Sequence, residues 1–595
     1  MKANKFLILL ATLGGLMVAS CDKVPENGGE STETSLSSSS VEESSIAPTT
    51  SLLTDVDHGR VTLLKLKFVL QEDGKGYSVG AVDQTIKGDV IIPDTYMDLP
   101  VTKLYAKAFK WCNQITNIYI PTGVTAIEEE AIEYCSKLRK LFIPETVTSL
   151  GKNAINACSV LDITVSDTNK CFSSQSGALY NKDKTKLLKA PLYKEKFDIP
   201  KSVTRIASGA FSGSSIEAIE IPENVTSIGD DAFYWCKNLK SVSIPYYLQL
   251  IGDRAFMQCE NLTELSIDPD GILDSIGEDA FRLCGKLQCV MLPRYVQHIG
   301  KAAFRMCISL EAVSLGNSVT DIGDEAFWTC ESLEEIVIPK MVKTIGEDAF
   351  SFCSSLTEIE VHRDNPNYSS FDGALYDKGQ TTLLKVPEGK ETITYPETMT
   401  AVAEGAFVYC EKLTSVNLPR TVTSLSNFLF AGCSSLTSVT FSDAISVIPE
   451  GTFSWCESLA SFRVSERIEK IGEYAFHRCI SLTDLVFDEG VSLIERIAFS
   501  ECTALTTVTL PLSVTKLGVK AFEKCASLSE IVFRGTVEQW NSLEKGEGWN
   551  AECPATEVIC TNGSVPLSLE EQSGSKDELI AQGTNDLEEG AEGTV

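Results

Sequence analysis

Histidine is scarce in this chain. There are four, His58, His298, His362 and His477. They share no common spacing, and none has a second histidine at metal-ligand distance along the chain. No C-x₂-C pair occurs, so the usual zinc spacings are missing too. The G-x-S-x-G elbow, the H-E-x-x-H helix and the phosphate-cradling Walker loop are also absent. These absences exclude the common zinc, serine-hydrolase and nucleotide-hydrolysis machineries, and they imply no cofactor. Basic residues are few beside acidic ones, with 51 Lys and Arg against 82 Asp and Glu and a formal net charge of −31. Such a surface repels phosphates, which argues against a nucleic-acid partner. Beyond Cys21 no apolar run is long enough to cross a bilayer.

Carboxylates are abundant, and some cluster. Glu128–Glu130 and Gly229-Asp230-Asp231 recur at one turn phase. They read as a solvated face, with calcium binding as the alternative. Carboxylates are numerous enough to supply a catalytic pair, which leaves an enzyme with a distributed carboxylate site as a third reading, but the chain reads as a non-enzyme.

Cysteine is plentiful and periodic. Cys112, Cys135 and Cys158 are 23 residues apart, as are Cys236 and Cys259. After a step of 25 residues the 23-residue spacing resumes with Cys284, Cys307, Cys330 and Cys353. It returns again in Cys410, Cys433, Cys456, Cys479, Cys502 and Cys525. Fifteen of the 20 cysteines thus share one phase of one repeat. A fixed period in this range marks a stacked-repeat architecture.

The shared unit is C-x-x-L-x-x-[VIL]-x-[ILVF]-P-x-x-V-x-x-I-G-x-x-A-F-x-x. Its aromatic turn occurs 16 times, from Ala108-Phe109 to Ala521-Phe522, with Ile132 and Ile155 in place of Phe. The segment ending in [VIL]-x-[ILVF] alternates apolar and polar, which predicts a short strand with one buried face. The proline that follows cannot donate to a ladder and ends the strand. The I-G glycine permits a tight bend. G-x-x-A-F-x-x-C has room for one helical or 3₁₀ turn. No unit can bury its apolar face alone, so the units must stack.

The I-P, I-G-x-x-A-F and cysteine positions together resemble the BspA-like leucine-rich repeats of bacterial surface proteins, over roughly residues 100–535. The resemblance implies an α/β solenoid. Its right-handed coil would carry a parallel β-sheet on the concave face and short helical or 3₁₀ turns on the convex face. It also implies adhesion through multipoint contact with proteins or glycans, of host matrix or of other cells. An envelope scaffold that organises other bacterial proteins is the alternative.

The cysteine ladder is read as a structural core of free thiols. Side chains at one phase of adjacent coils lie about 4.8 Å apart and parallel, a poor geometry for a disulfide. Free cysteine packs as a small hydrophobe. Cys171 falls in an insert, Cys289 faces out of its strand, and Cys553 and Cys560 are the best disulfide candidates.

Residues 1–20 read as an export signal, with Lys2 and Lys5 before the apolar Phe6–Leu10 and Leu13–Val18. Val18-Ala19-Ser20-Cys21 resembles a lipobox, which implies cleavage before Cys21 and lipidation of its thiol. The chain would then be exported and lipid-anchored to the bacterial envelope. Residues 21–51 are rich in Ser, Thr and Glu and form a tether. Residues 52–107 form an N-terminal cap and 108–535 the solenoid. The inserts 165–200 and 361–396 match at an offset of 196, both with G-A-L-Y and L-L-K-x-P, and each is expected to carry a β-hairpin. Residues 536–566 resemble the family's closing module, with Trp540 and Trp549 over the last coil. Residues 567–595 are an acidic tail.

Two rows are candidate binding surfaces. Tyr119 and Phe142 stand on the outer face of the strands, in a row otherwise mostly small and polar. Trp111, Tyr134, Trp235, Phe352, Tyr409 and Trp455 each precede a ladder cysteine. Aromatic side chains are common binding anchors; packing against the N-terminal cap is the other reading of Tyr119 and Phe142, and packing along the coil edge that of the second row.

Overall fold

The computed structural model describes residues 65–567, apart from Ala157, Ser159, Val160, Leu161, Tyr193 and Lys194. The export signal, Cys21, the tether, the first residues of the N-terminal cap and residues 568–595 lie outside the described residues.

Each coil has three sides, and each side joins its neighbours by backbone hydrogen bonds. The first side is the strand that ends before proline. Ser241–Ile244 pairs in parallel with Glu264–Ile267, Ser241 opposite Glu264 and Ile244 opposite Ile267. Inward residues of this strand are buried and outward ones exposed, as Val242 and Ser243 show. The second side is a two-residue strand at the V-x-x-I-G segment. Ser227–Ile228, Leu250–Ile251, Ser275–Ile276 and their successors form one continuous parallel ladder that runs to Thr344–Ile345.

The third side is G-x-x-A-F-x-x-C, and it is not helical. Among the described residues the one α-helix is Val537–Asn541 in the C-terminal cap. The expected helical turns are replaced by a run of linked turns. Asp231, Phe233 and Trp235 donate to the carbonyls of Asp253, Ala255 and Met257 in the next coil. The intervening Ala232, Tyr234 and Cys236 donate three residues back, to Gly229, Asp231 and Phe233. Half the amides therefore serve the coil and half serve its neighbour. Two residues per coil make this possible by adopting the left-handed region, here Asp231 at φ 54° and Trp235 at φ 60°. A helix cannot pass through such residues, and it would spend every amide within its own coil.

The repeated I-G glycine has a different task from the expected bend. A Cβ on Gly252 would lie 2.7 Å from the amide nitrogen of Asp230, and one on Gly300 2.5 Å from the carbonyl carbon of Gly277. The glycine is there so that adjacent coils can approach.

The core is a set of columns. The rings of Phe211, Phe233, Phe256, Phe281, Phe304, Phe327 and Phe350 stack in sequence, with centroids 4.7–5.8 Å apart and planes within 9°. A second column starts at Phe407 and Phe430 and ends where Phe522 meets the edge of Trp549 at 6.4 Å. All fifteen ladder cysteines are buried and free. Each thiol also fastens two coils. Cys259 Sγ lies 3.2 Å from the Phe233 carbonyl oxygen, which already accepts from the Cys236 amide. At Cys330 and Cys479 burial pushes the thiol above its ordinary range. Cys553 and Cys560 are both buried and free. Cys553 Sγ reaches the Phe522 carbonyl at 2.9 Å and so continues the ladder by one coil.

Each insert is a three-stranded meander. Phe172–Gln175 pairs antiparallel with Ala178–Asn181, and that strand pairs antiparallel with Lys186–Lys189. Lys186–Lys189 then joins Arg205–Ile206 in parallel and re-enters the coil. Tyr368–Phe371, Ala374–Asp377 and Thr382–Lys385 repeat this arrangement before Ala401–Val402. A buried asparagine anchors each insert to the coil below. Asn169 Nδ2 donates to the Pro144 and Val147 carbonyls, and Asn365 Nδ2 to those of Pro339 and Val342. The core divides at the inserts. Leu179 packs into the cluster before the first insert, and its neighbours Ala178 and Tyr180 pack into the next.

At the C-terminal end Thr536 caps the short helix in a capping box with Gln539. Trp540 and Trp549 are buried 5.6 Å apart and cover the last coil.

Candidate binding surface

The residue before each ladder cysteine occupies the left-handed region in coil after coil. Trp111, Tyr134, Trp235, Phe352, Tyr409 and Trp455 lie at φ 54–64°. Gly213 and Gly432 fill the same position in two other coils. This conformation interrupts the inward run of Phe and Cys and turns the intervening side chain to the coil edge. Trp111, Trp235 and Trp455 are exposed, at 44%, 51% and 37%. Tyr134, Phe352 and Tyr409 are half-buried.

The edge is not one continuous ridge. Trp111 and Tyr134 stack face to face, centroids 4.0 Å apart and planes 10° apart. Phe352 sits between Tyr409 at 4.4 Å and Trp328 at 4.8 Å. Trp455 is covered on one face by the Arg478 guanidinium at 3.8 Å and meets the edge of His477 at 6.4 Å. Trp235 has Lys237 as its cationic neighbour, at 5.3 Å. Stacked guanidinium and ammonium groups hold indole rings through the ring quadrupole. Trp328 sits under Arg305 at 4.1 Å in the same way. Sequence spacing did not bring Arg305 and Arg478 into the site, because each comes from the coil next to its tryptophan's. The recurrence of cations one repeat away from an edge aromatic was the available signal.

Tyr119 and Phe142 are cross-strand partners in the parallel sheet. Both are exposed, at 51% and 38%. Their strand neighbour Thr164 continues the row with a small polar residue.

Ion pairs cover much of the remaining surface and tie coil to coil. Arg254 bridges to Asp231 at 2.8 Å, and Lys110 lies 2.7 Å from Glu130 and 2.6 Å from Glu133. His298 pairs with Asp321 at 3.0 Å. Hydrogen bonds from Thr344 and Thr320, with His298 beside them, hold the Asp321 carboxyl below its ordinary range. Among the described residues no group of three or more His, Cys, Asp and Glu is arranged to hold a metal. No described helix is long and apolar enough to cross a membrane.

The family profile for the "BspA type Leucine rich repeat region" matches residues 102–195, 189–272, 274–391, 385–503 and 452–543. The chain belongs to the BspA-type leucine-rich-repeat family. No curated protein matches it. Among solved structures it is similar to a leucine-rich cell surface protein of Faecalibacterium prausnitzii A2-165, at 29% identity and TM-score 0.49, over 63% of this chain and 97% of that one. It is similar to a leucine-rich repeat protein of Eubacterium ventriosum at 23% identity and TM-score 0.39, over 49% of this chain and 94% of that one. A Bacteroides ovatus leucine-rich repeat protein matches at 23% identity and TM-score 0.29, over 83% of this chain and 92% of that one. BspA-type membership fits a protein that binds or organises partners through repeated surface.

Proposed function

We propose that this protein is a non-enzymatic, adhesin-like binding protein of the bacterial surface, held to the envelope by a lipid on Cys21. Its partners are proteins or glycans, of host matrix or of neighbouring cells. The observation that carries this reading is the edge row of exposed tryptophans. Trp111, Trp235 and Trp455 are large rings at one phase of the repeat and open to solvent. Rings fixed on a rigid lattice lose little freedom on binding and suit stacking against sugar faces or peptide side chains. Several weak contacts on one rigid body add through effective concentration.

The test is a binding screen of the full chain against matrix proteins, glycans and envelope extract. Alongside it runs the triple variant Trp111→Ser, Trp235→Ser, Trp455→Ser. Saturable binding to a matrix protein or glycan, lost at least tenfold in the variant while the fold persists, supports the reading. Binding only to envelope components, or binding indifferent to the three substitutions, overturns it. Release of the repeat region by protease treatment of intact cells checks display, and full protection inside intact cells rejects it.

A further inference from the structure

The two inserts are copies of one block, but their buried lysines are treated differently. Lys385 Nζ lies 3.1 Å from Glu388 and 3.3 Å from the Ser351 hydroxyl. Lys189 is its counterpart at the offset of 196 and is 1% exposed. The residue that corresponds to Glu388 is Leu192. Among the described residues the Lys189 ammonium donates to the Gly209 carbonyl, at 2.8 Å, and pairs with no carboxylate, Glu133 acting on it only from farther off. A buried cation without a paired carboxylate is costly, and the first copy lacks the negative charge that the second places beside its lysine.

A cleft of about 300 Å³ opens at this seam. Among the described residues its charged lining is Lys152, Lys186 and Lys189, with no aspartate or glutamate. In a chain of net charge −31 such a lining is anomalous. Lys152 reaches Asp230 only at 3.4 Å, and Lys186 makes no ion pair among the described residues. Asn153 also lines the cleft, and its side-chain oxygen is buried without a hydrogen-bond donor. Leu179 and Leu188 supply an apolar wall. The volume is at the small end of ligand sites.

We propose that this cleft binds a small hydroxylated carboxylic acid of the sugar-acid class. Its carboxylate takes the place that Glu388 fills in the second block, facing Lys189 and Lys186. A hydroxyl of the ligand donates to Asn153 Oδ1, and the ring face lies against Leu179 and Leu188. The carboxylate comes either from a free acid or from the terminal acidic sugar of a glycan. The site is separate from the tryptophan edge and stands or falls independently of it.

The experiment is calorimetric titration of the full chain with glucuronate, with glucose and hexanoate as comparison ligands and a glucuronate-capped oligosaccharide as a further arm. One glucuronate per chain is expected, with glucose and hexanoate at least tenfold weaker. Tighter binding of the capped oligosaccharide than of glucuronate assigns the glycan source, and the reverse assigns the free acid. Leu192→Glu restores the internal carboxylate and should weaken glucuronate at least tenfold, whereas Lys385→Gln should not change it. In the unmodified chain glucuronate should also slow acetylation of Lys186, read by mass spectrometry, but not of the remote Lys286. Equal binding of glucose and glucuronate, equal binding of hexanoate, no binding at all, or an unchanged affinity in Leu192→Glu would each overturn the proposal.

Discussion

The Lys385 ammonium sits 3.1 Å from the Glu388 carboxylate, with both groups largely shielded from solvent. Burial by itself would discharge Lys385, but the charge and hydrogen bond of Glu388 hold it above its ordinary range. At the equivalent Lys189 burial has no such answer and lowers the ammonium to about 8, offset only in part by neighbouring thiols and Glu133.

That difference predicts a pH-dependent penalty at Lys189. Between about 8 and the ordinary lysine value near 10.5 the unfolded chain binds a proton there that the folded chain does not. The penalty is therefore full below pH 8 and vanishes as pH rises through the unfolded value. Lys189→Met should gain on the unmodified chain by about 3 kcal/mol more at about pH 7 than at about pH 10.5. Urea midpoints of both proteins at the two pH values check this, and a difference that does not change with pH rejects it.

The close approach of coils at the I-G glycine gives a steric prediction. In Gly300→Ala the new methyl would meet Gly277 carbonyl carbon at 2.5 Å and Glu278 nitrogen at 2.7 Å. Backbone cannot yield as a side chain can, so a loss of about 2–3 kcal/mol is expected. Gly285→Ala is the comparison, since its nearest neighbour is the Ile308 side chain at 3.6 Å. It should change stability by less than about 0.5–1 kcal/mol. Thermal unfolding of the two variants separates them.

Thr329 holds the left-handed position before Cys330 at φ 57°. It is β-branched, and its hydroxyl is buried without a partner. Gly432 shows that glycine fits the same phase at φ 73°. Thr329→Gly should therefore raise stability by about 1 kcal/mol, relief of strain outweighing the added freedom of the unfolded chain. An unchanged or lower denaturation midpoint would count against strain at this position.

The ladder thiols should be inert in the folded protein. They are buried, out of a maleimide's reach, and at Cys330 desolvation also suppresses the thiolate that maleimides attack. Among the described residues Cys171 and Cys289 are half-exposed. Brief maleimide treatment followed by peptide mapping should find label at those two and not at Cys236, Cys259, Cys284, Cys307, Cys330 or Cys353. Label spread along the ladder without denaturant would contradict the packing.

The columns were legible in the sequence because they depend on identity at a fixed phase. Leu, Val, Ile, Phe and Cys recur where an inward position recurs, and stacking follows from their inability to be buried alone. The third side was misread because the two left-handed residues per coil are mostly not glycine and are of many types, Asp231, Trp235, Ala302 and Tyr474 among them. Gly209, Gly213, Gly405, Gly432 and Gly451 mark those two positions in a few coils and were the clue available. The edge tryptophans were visible as a row. Their cationic partners were not, because Arg478 reaches Trp455 across a coil boundary.

The sequence by itself determined the repeat, the inward columns, the placement of the inserts and the phase of the edge aromatics. Each follows from periodic burial of apolar side chains. Only the tertiary structure decided what happens between coils. It made the return segment a ladder in place of a helix, used the I-G glycine for clearance, and left Lys189 without a paired carboxylate among the described residues where Lys385 has Glu388. Those outcomes depend on distances between residues 20 or more positions apart, which contact between coils sets and local pattern does not.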